Sequence, residues 1–269
     1  MSVFILSAFG DEISPDLSEQ TRVLKAHGIH SLELRGMGGQ SILQYSLKEV
    51  KQAADFLSAE GIAVSAVGSP IGKIPITDQF APHLDRFKYT LEIAHVLHTQ
   101  YIRMFSFYLA SDQDPVEYRD EVLNRWRHFI EAAQGSGLTL LHENEKGIYG
   151  ETAKRCLDLL DTLSSKIVGA TFDPANFVQC GVETYPHAYQ LLRKHIRYMH
   201  IKDALALGGS VVPAGQGDGH VLEILRDLKA SGFTGYLSIE PHLQDSLPGG
   251  GPEKFAIAAN ALKNLLAQV

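Results

Sequence analysis

Cysteine is almost missing from this chain. Cys156 and Cys180 are the only two, and their wide separation fits neither a metal knuckle nor a disulfide framework, so a reducing cytoplasmic setting is expected. Positive charge is also scarce. The 24 Lys and Arg residues stand against 31 Asp and Glu, and the formal net charge of −7 gives a polyanion nothing to be drawn to; no nucleic-acid partner is expected. No apolar run approaches the roughly 18 residues of a spanning helix, so no membrane partner is expected either. The apolar opening MSVFILSAFG has no basic residues before it and no cleavage-like end, and it reads as a buried strand. Linkers rich in Pro, Gly or Ser are absent too, which argues against a division into domains.

What is present is an alternation. Short β-branched or aromatic runs occur at Val3–Phe9, Ser31–Leu34, Ala63–Val67, Tyr101–Phe105, Leu138–Glu143, Val168–Asp173, Tyr198–Lys202 and Tyr236–Glu240. Helical patterns follow most of them. Ser46 and Glu49 form a capping-box signal opening Leu47–Glu60, with Gly61 to close it. Further helices are expected over Leu84–Leu97, Val122–Gln134, Thr152–Leu163, Glu183–Lys194, Val221–Ser231 and Glu253–Ala267. Trp126 falls on the apolar stripe of its helix and is expected in the core. Eight buried strands alternating with helices predict an α/β chain with a parallel eight-stranded core closed as a (β/α)₈ barrel. The length of 269 residues suits one such domain over 1–269, since a barrel takes roughly 250. The densest Gly/Pro stretches, Gly208–Gly219 and Pro248–Pro252, lie just beyond strand ends, where active-site loops of a barrel are found.

Ionisable residues mark the ends of the last four strands: Glu143, Asp173, His200 and Glu240. In a barrel those ends converge on one mouth. Singly, each has an ordinary explanation: a solvated loop acid, a turn former before Pro174, a core histidine, a surface charge. Gathered, three carboxylates and an imidazole would repel and suffer desolvation unless something positive joined them, and a divalent cation answers that need.

The stretches HENEKGIYG (142–150), FDPANF (172–177), MHIKD (199–203), SIEPH (238–242) and the Gly-rich PAGQGDGHVLEIL (213–225) resemble the xylose-isomerase-like TIM-barrel family. That family holds sugar and sugar-phosphate isomerases and epimerases and a distant abasic-site endonuclease branch. The resemblance is strong from residue 138 onward. It implies Glu143, Asp173, His200 and Glu240 as ligands of one divalent ion, and Glu143 and Glu240 as an acid/base pair. Such an ion, with a carbonyl and adjacent hydroxyl bound, acidifies the C–H between them and stabilises an enediolate; return of the proton gives epimerisation or aldose–ketose isomerisation. The donor set admits Mn²⁺, Mg²⁺, Co²⁺ or Zn²⁺.

Glu143 and Glu145 share strand parity, and Glu143 is preferred for its place nearer the strand and for the Glu143-Asn144 pairing. Substrate contacts are expected from Asn176, which stands where relatives have a histidine, from Lys202, from His242 and from Glu33 inside the apolar Leu32-Glu33-Leu34. Arg35, of the same parity as Glu33, is expected to pair with it. Asp203 is read as an acceptor orienting a ligand, and His142 as structural. Phe105, Phe107 and Tyr108 suit either an apolar wall for a sugar ring or simple packing.

The leading expectation is thus a metal-dependent isomerase or epimerase of a small sugar, sugar phosphate or related keto acid. A metal-dependent dehydratase of a cyclic hydroxy-keto acid shares the same proton abstraction. The endonuclease branch needs additional histidine ligands and a basic groove, and the 12 histidines here do not fall at evident matching positions. A non-catalytic sugar-binding barrel and a homo-oligomeric state stay open.

Overall fold

The computed structural model describes residues 3–110, 113–207, 209–243 and 249–269. Gly208 and Pro248, which begin the two Gly/Pro-rich stretches, lie outside the described residues. Eight parallel strands form one sheet: β1 (Val3–Ala8), β2 (Ser31–Leu34), β3 (Ala63–Gly68), β4 (Tyr101–Met104), β5 (Thr139–Glu143), β6 (Val168–Phe172), β7 (Ile196–Ile201) and β8 (Thr234–Ile239). Their order around the sheet is β1-β8-β7-β6-β5-β4-β3-β2. Its two ends meet through a parallel bridge between Phe9 and Glu33, which nearly closes the ring. The expected (β/α)₈ barrel is found.

Why the strands bury is plain from their sequences. β6 reads VGATF and is buried throughout, as expected for a parallel strand covered on both faces. The barrel lumen is partly polar. Ser7 Oγ lies 2.6 Å from Ser65 Oγ, which lies 2.8 Å from the Tyr198 hydroxyl, so these buried groups satisfy one another.

The helices form the outer layer. α1 (Leu17–Ala26) was not evident in the sequence, because its buried face carries Gln20 and Thr21 beside Val23 and Leu24. α2 (Leu47–Ala59) begins with the expected capping box of Ser46 and Glu49. α3 (Phe80–Val96) and α4 (Pro115–Ala133) both start earlier than their apolar stripes suggest. For α4 the signal was Asp114 as N-cap with Pro115 in the first turn. Trp126 is fully buried against Phe129 and His142. α5 (Ala153–Leu163) and the short α6 (Pro174–Gln179) follow.

The single helix expected over Glu183–Lys194 is instead broken. A wide turn at Thr184–Ala188 has Tyr185 extended, and α7 covers only Tyr189–Leu192. Pro186 disfavours a helical conformation at the residue before it, which accounts for the break. α8 (Val221–Ala230) and α9 (Gly251–Leu266) complete the ring. Among the described residues, no helix is long and apolar enough to cross a membrane.

Candidate active site

The C-terminal ends of the strands bring the expected residues together. Glu143 ends β5, Asp173 follows β6, His200 lies in β7 and Glu240 follows β8. One ligand-type atom from each falls within 4.8 Å of the others, and all four side chains are buried. His200 Nδ1 is 3.0 Å from Glu143 Oε1 and 3.8 Å from both Asp173 Oδ2 and Glu240 Oε2.

Local structure fixes each group. Asp173 caps α6, its Oδ1 accepting from the Asn176 backbone N–H at 2.9 Å, which leaves Oδ2 aimed into the cluster. Asn144 clamps the ends of β5 and β6 in both directions: its amide donates to the Asp173 carbonyl and accepts from the Asp173 N–H, each at 2.9 Å. The His200 ring sits edge-on to Phe9 and Tyr198, with centroids 5.1 and 5.9 Å away.

The chain supplies its own counter-charges: a salt bridge of Lys202 with a nearby carboxylate was the alternative to its substrate contact, whereas Arg103 was missed in the sequence. Lys202 Nζ lies 2.8 Å from Glu240 Oε2 and 3.0 Å from Asp173 Oδ2. Arg103, buried on β4, places Nε 3.3 Å from Glu143 Oε2 and 3.6 Å from Glu33 Oε1. Its signal was available: an arginine inside the apolar strand YIRM. Four carboxylates crowded together are therefore tolerable without an ion, and crowding alone does not demand one.

Charge states follow from these neighbours. Burial by itself would raise the Glu143 carboxyl, but His200 and Arg103 overcome it and hold it at about 2. Burial opposes ionisation of Glu240 too, yet Lys202, His242, His200 and Arg35 keep it well below the usual range. Asp173 goes the other way, pushed up to about 6 by burial, with Lys202 pulling against Glu240 and Glu143. His200 would lose its proton through burial, but Glu143 and Glu33 hold it well above the ordinary imidazole value.

Several expected roles change. Asn176 is buried and does not line the cavity; its amide donates to Glu143 Oε1 at 3.2 Å and to the Asn144 carbonyl at 2.9 Å, so it braces Glu143 in place of a substrate hydroxyl. Glu33 is also fully buried, with its oxygens 3.1 and 3.3 Å from His200 Nε2. Arg35 does not pair with it. The longer reach of Arg35 takes it to Asp11 at 2.7 Å, Glu240 at 3.1 Å and Glu12 at 3.2 Å.

Asp203 orients no ligand. Its carboxylate accepts the backbone N–H groups of Ala204, Gly215, Gly217 and Gly219 at 2.8–3.0 Å and so folds the Gly-rich loop around itself. His142 is structural as expected, its Nε2 lying 2.9 Å from Ser106 Oγ. His242 Nε2 is 3.0 Å from Glu12 Oε1 and 3.3 Å from Glu240 Oε1. Glu12, Glu240 and His242 also bring ligand atoms close, but Arg35 already occupies Glu12 and Glu240.

A cavity of about 220 Å³ opens above the cluster, and Glu143, Glu240, Lys202 and His242 face it together with Arg35, Arg103, Lys73 and Phe105. Both Lys73 and Arg103 lie over the Phe105 ring, 4.2 and 4.6 Å from its centroid. Glu145 borders the same cavity but pairs with Lys73 at 2.9 Å, outside the four-residue cluster. Phe107 is core, packed on Phe129, whereas Tyr108 is exposed.

The chain resembles several known proteins. An uncharacterized protein of Methanocaldococcus jannaschii is 27% identical over 158 residues, which are 54% of this chain and 49% of that one. The chain thus matches about half the length of that curated relative. A D-tagatose 3-epimerase-like protein superposes with a TM-score of 0.77 at 18% identity, covering 98% of both chains. The IOLI protein with a bound zinc atom superposes with a TM-score of 0.78 at 16% identity, again covering 98% of both. These two likenesses concern the fold. The family model described as xylose isomerase-like TIM barrel matches residues 21–265, nearly the entire sequence, and on that match the chain belongs to this family.

Proposed function

We propose that this protein is a divalent-metal-dependent isomerase or epimerase of a small sugar, sugar phosphate or related keto acid, with Glu143, Asp173, His200 and Glu240 as ligands and Glu143 and Glu240 as acid and base. The observation that carries the reading is the convergence of four ligand atoms within 4.8 Å beneath a cavity sized for a small substrate. Three carboxylates and one imidazole suit Mn²⁺, Mg²⁺, Co²⁺ or Zn²⁺. The fit has a specific mark: Asp173 Oδ2 is buried in the cluster with no well-formed hydrogen bond, its neighbour being the Lys202 ammonium at 3.0 Å, whose place beside it a cation can share. A cation bound there supplies Lewis acidity toward a carbonyl oxygen.

The protein's own groups handle the proton. Glu143 and Glu240 reach the cavity from β5 and β8, different walls of the barrel, so they can address different faces of one substrate. Both are ionised at rest, which suits the removal of a C–H proton. The proton taken by one carboxylate is then the one at hand for return, which favours delivery to the neighbouring carbon; return on the opposite face needs the second carboxylate to gain a proton first. Asn176 and Asn144 hold Glu143 and Asp173 through these changes.

Charge favours an uncharged sugar within the class. Each cation at the cavity already faces a carboxylate: Arg35, Lys73, Arg103 and Lys202 all have partners within 3.3 Å. The Gly-rich loop, whose N–H groups are of the kind that cradle phosphate, is filled by Asp203.

The test is a turnover screen of ketoses, aldoses and keto acids with Mn²⁺ in D₂O, followed by NMR. Solvent deuterium at the carbon beside the carbonyl, together with a new isomer, is the expected result. No exchange across the panel by Mn²⁺-loaded protein would refute the reading. New absorbance from a conjugated product would shift it to the dehydratase.

A further inference from the structure

Glu33 touches His200 directly, yet it neither faces the cavity nor belongs to the ligand set. We infer that it is a positioning residue: it fixes the tautomer and orientation of His200 so that Nδ1 presents its lone pair to the cation-binding cluster. This rests on the metal-dependent reading above.

The geometry around the ring assigns the two nitrogens. Nε2 faces Glu33, 3.1 Å from Oε2 and 3.3 Å from Oε1, whereas Nδ1 faces Glu143, Asp173 and Glu240. A neutral imidazole has one N–H. Glu143 Oε1 stands as close to Nδ1, at 3.0 Å, so without an ion either nitrogen has an acceptor for a proton; a cation at Nδ1 takes the place of the proton there, and Glu33 accepts and keeps the one N–H left on Nε2. Without that acceptor the proton is free to settle on Nδ1, where an N–H would point at the cation.

Glu33 is itself well held. It is fully buried, its backbone bridges to Phe9 across the seam between β1 and β2, and Arg103 Nε stands 3.6 Å from its Oε1. Phe9 also packs edge-on against the His200 ring, so the same seam supplies both the acceptor and the wall that stops the ring from turning. Residues in this relation to a metal-binding histidine change ion affinity by about 10- to 100-fold when removed.

The experiment titrates Co²⁺ into wild type, Glu33→Gln and Glu33→Ala by calorimetry, with a thermal melt of each metal-free protein. Glu33→Gln, which keeps an acceptor oxygen without the charge, is expected to bind Co²⁺ about 10-fold more weakly, and Glu33→Ala weaker still. A folded Glu33→Gln and Glu33→Ala with wild-type Co²⁺ affinity would overturn the inference, because a residue needed only for folding lowers the melting temperature and leaves the affinity of folded protein alone. If neither variant folds, ¹⁵N-histidine NMR of Zn²⁺-loaded wild type decides: the proton on His200 Nε2 supports the role, and a proton on Nδ1 overturns it. Wild type that binds neither Co²⁺ nor Zn²⁺ would instead sink the metal-dependent reading itself.

Discussion

Lys202 and Glu240, at the ends of neighbouring strands, form a buried ion pair of 2.8 Å, and the same ammonium lies 3.0 Å from Asp173. Removing one member of a buried pair leaves an uncompensated charge, which typically costs about 3–5 kcal/mol. Lys202→Met is therefore expected to lose about 3 kcal/mol of stability in chelator and to recover part of it when Co²⁺ is added. Urea unfolding with and without Co²⁺ checks this. An equal loss under both conditions would show that a cation does not substitute for the ammonium.

Glu240→Gln keeps the shape of the side chain and removes its basicity. Turnover of any substrate found in the screen should fall by at least about 100-fold, the usual scale of a general acid–base contribution, while circular dichroism shows the fold intact even though the melting temperature drops with the loss of the Lys202 partner. Unchanged rates would refute the assigned role.

The charge balance of the mouth makes its own prediction. Inorganic phosphate and a sugar phosphate are expected to compete poorly against the corresponding free sugar, by at least about 10-fold in inhibition constant, since a dianion must displace an existing partner from Lys73 or Arg103. Tighter binding of the phosphate would reverse that preference.

His83 gives the protein a pH-dependent weakness remote from the cluster. Its buried Nε2 accepts the Gly72 backbone N–H at 2.8 Å, so the ring must be neutral, and burial first, then Arg86 and Arg125, push its pKa down to about 4. The unfolded chain, with the ordinary value of 6.5, takes up the proton more readily. Stability from this group is thus intact above pH 6.5 and is lost as pH falls toward 4, amounting to about 2 kcal/mol between pH 7 and 5. Denaturant midpoints of wild type and His83→Gln over that range should diverge at neutral pH and converge in acid.

Gly217 lies against the carboxylate that organises its loop: a Cβ there would meet Asp203 Oδ1 at 2.4 Å and the Ala204 carbonyl at 2.5 Å. Because the carbonyl is backbone and cannot swing away, Gly217→Ala should displace the loop and cost about 1–3 kcal/mol. Hydrogen exchange at Gly215 and Gly219 should quicken. Undisturbed exchange would mean that Asp203 is not what holds the loop.

Much of this was legible in the residues. The eight strands were placed to within two residues at most ends, because a parallel strand covered on both faces is written as a short continuous apolar run. The four cluster residues were visible because each interrupts or ends such a run. What escaped was of another kind. Arg103 was one charge inside an apolar strand, and its neighbours Glu33 and Glu143 are distant in sequence. Periodicity gives the side on which Glu33 and Asn176 stand but not what they touch, which is His200 for one and Glu143 for the other. Asp203, read as an acceptor orienting a ligand, instead takes the N–H groups of Ala204 and of a loop whose Gly215, Gly217 and Gly219 come to it only in three dimensions.

Among the described residues one bridged pair, Phe9 and Glu33, spans the barrel seam, and both members flank His200. The pair that bridges the seam is thus also the pair that borders the imidazole. The prospective ligands all lie between residues 143 and 240, whereas Phe9 and Glu33 belong to the first two strands, so the neighbours that seat the imidazole come from the other half of the chain. A fragment carrying only the second half of the chain would contain every ligand and still be unable to arrange them, and a permuted chain opened at that seam should be the version that folds but fails to concentrate a cation.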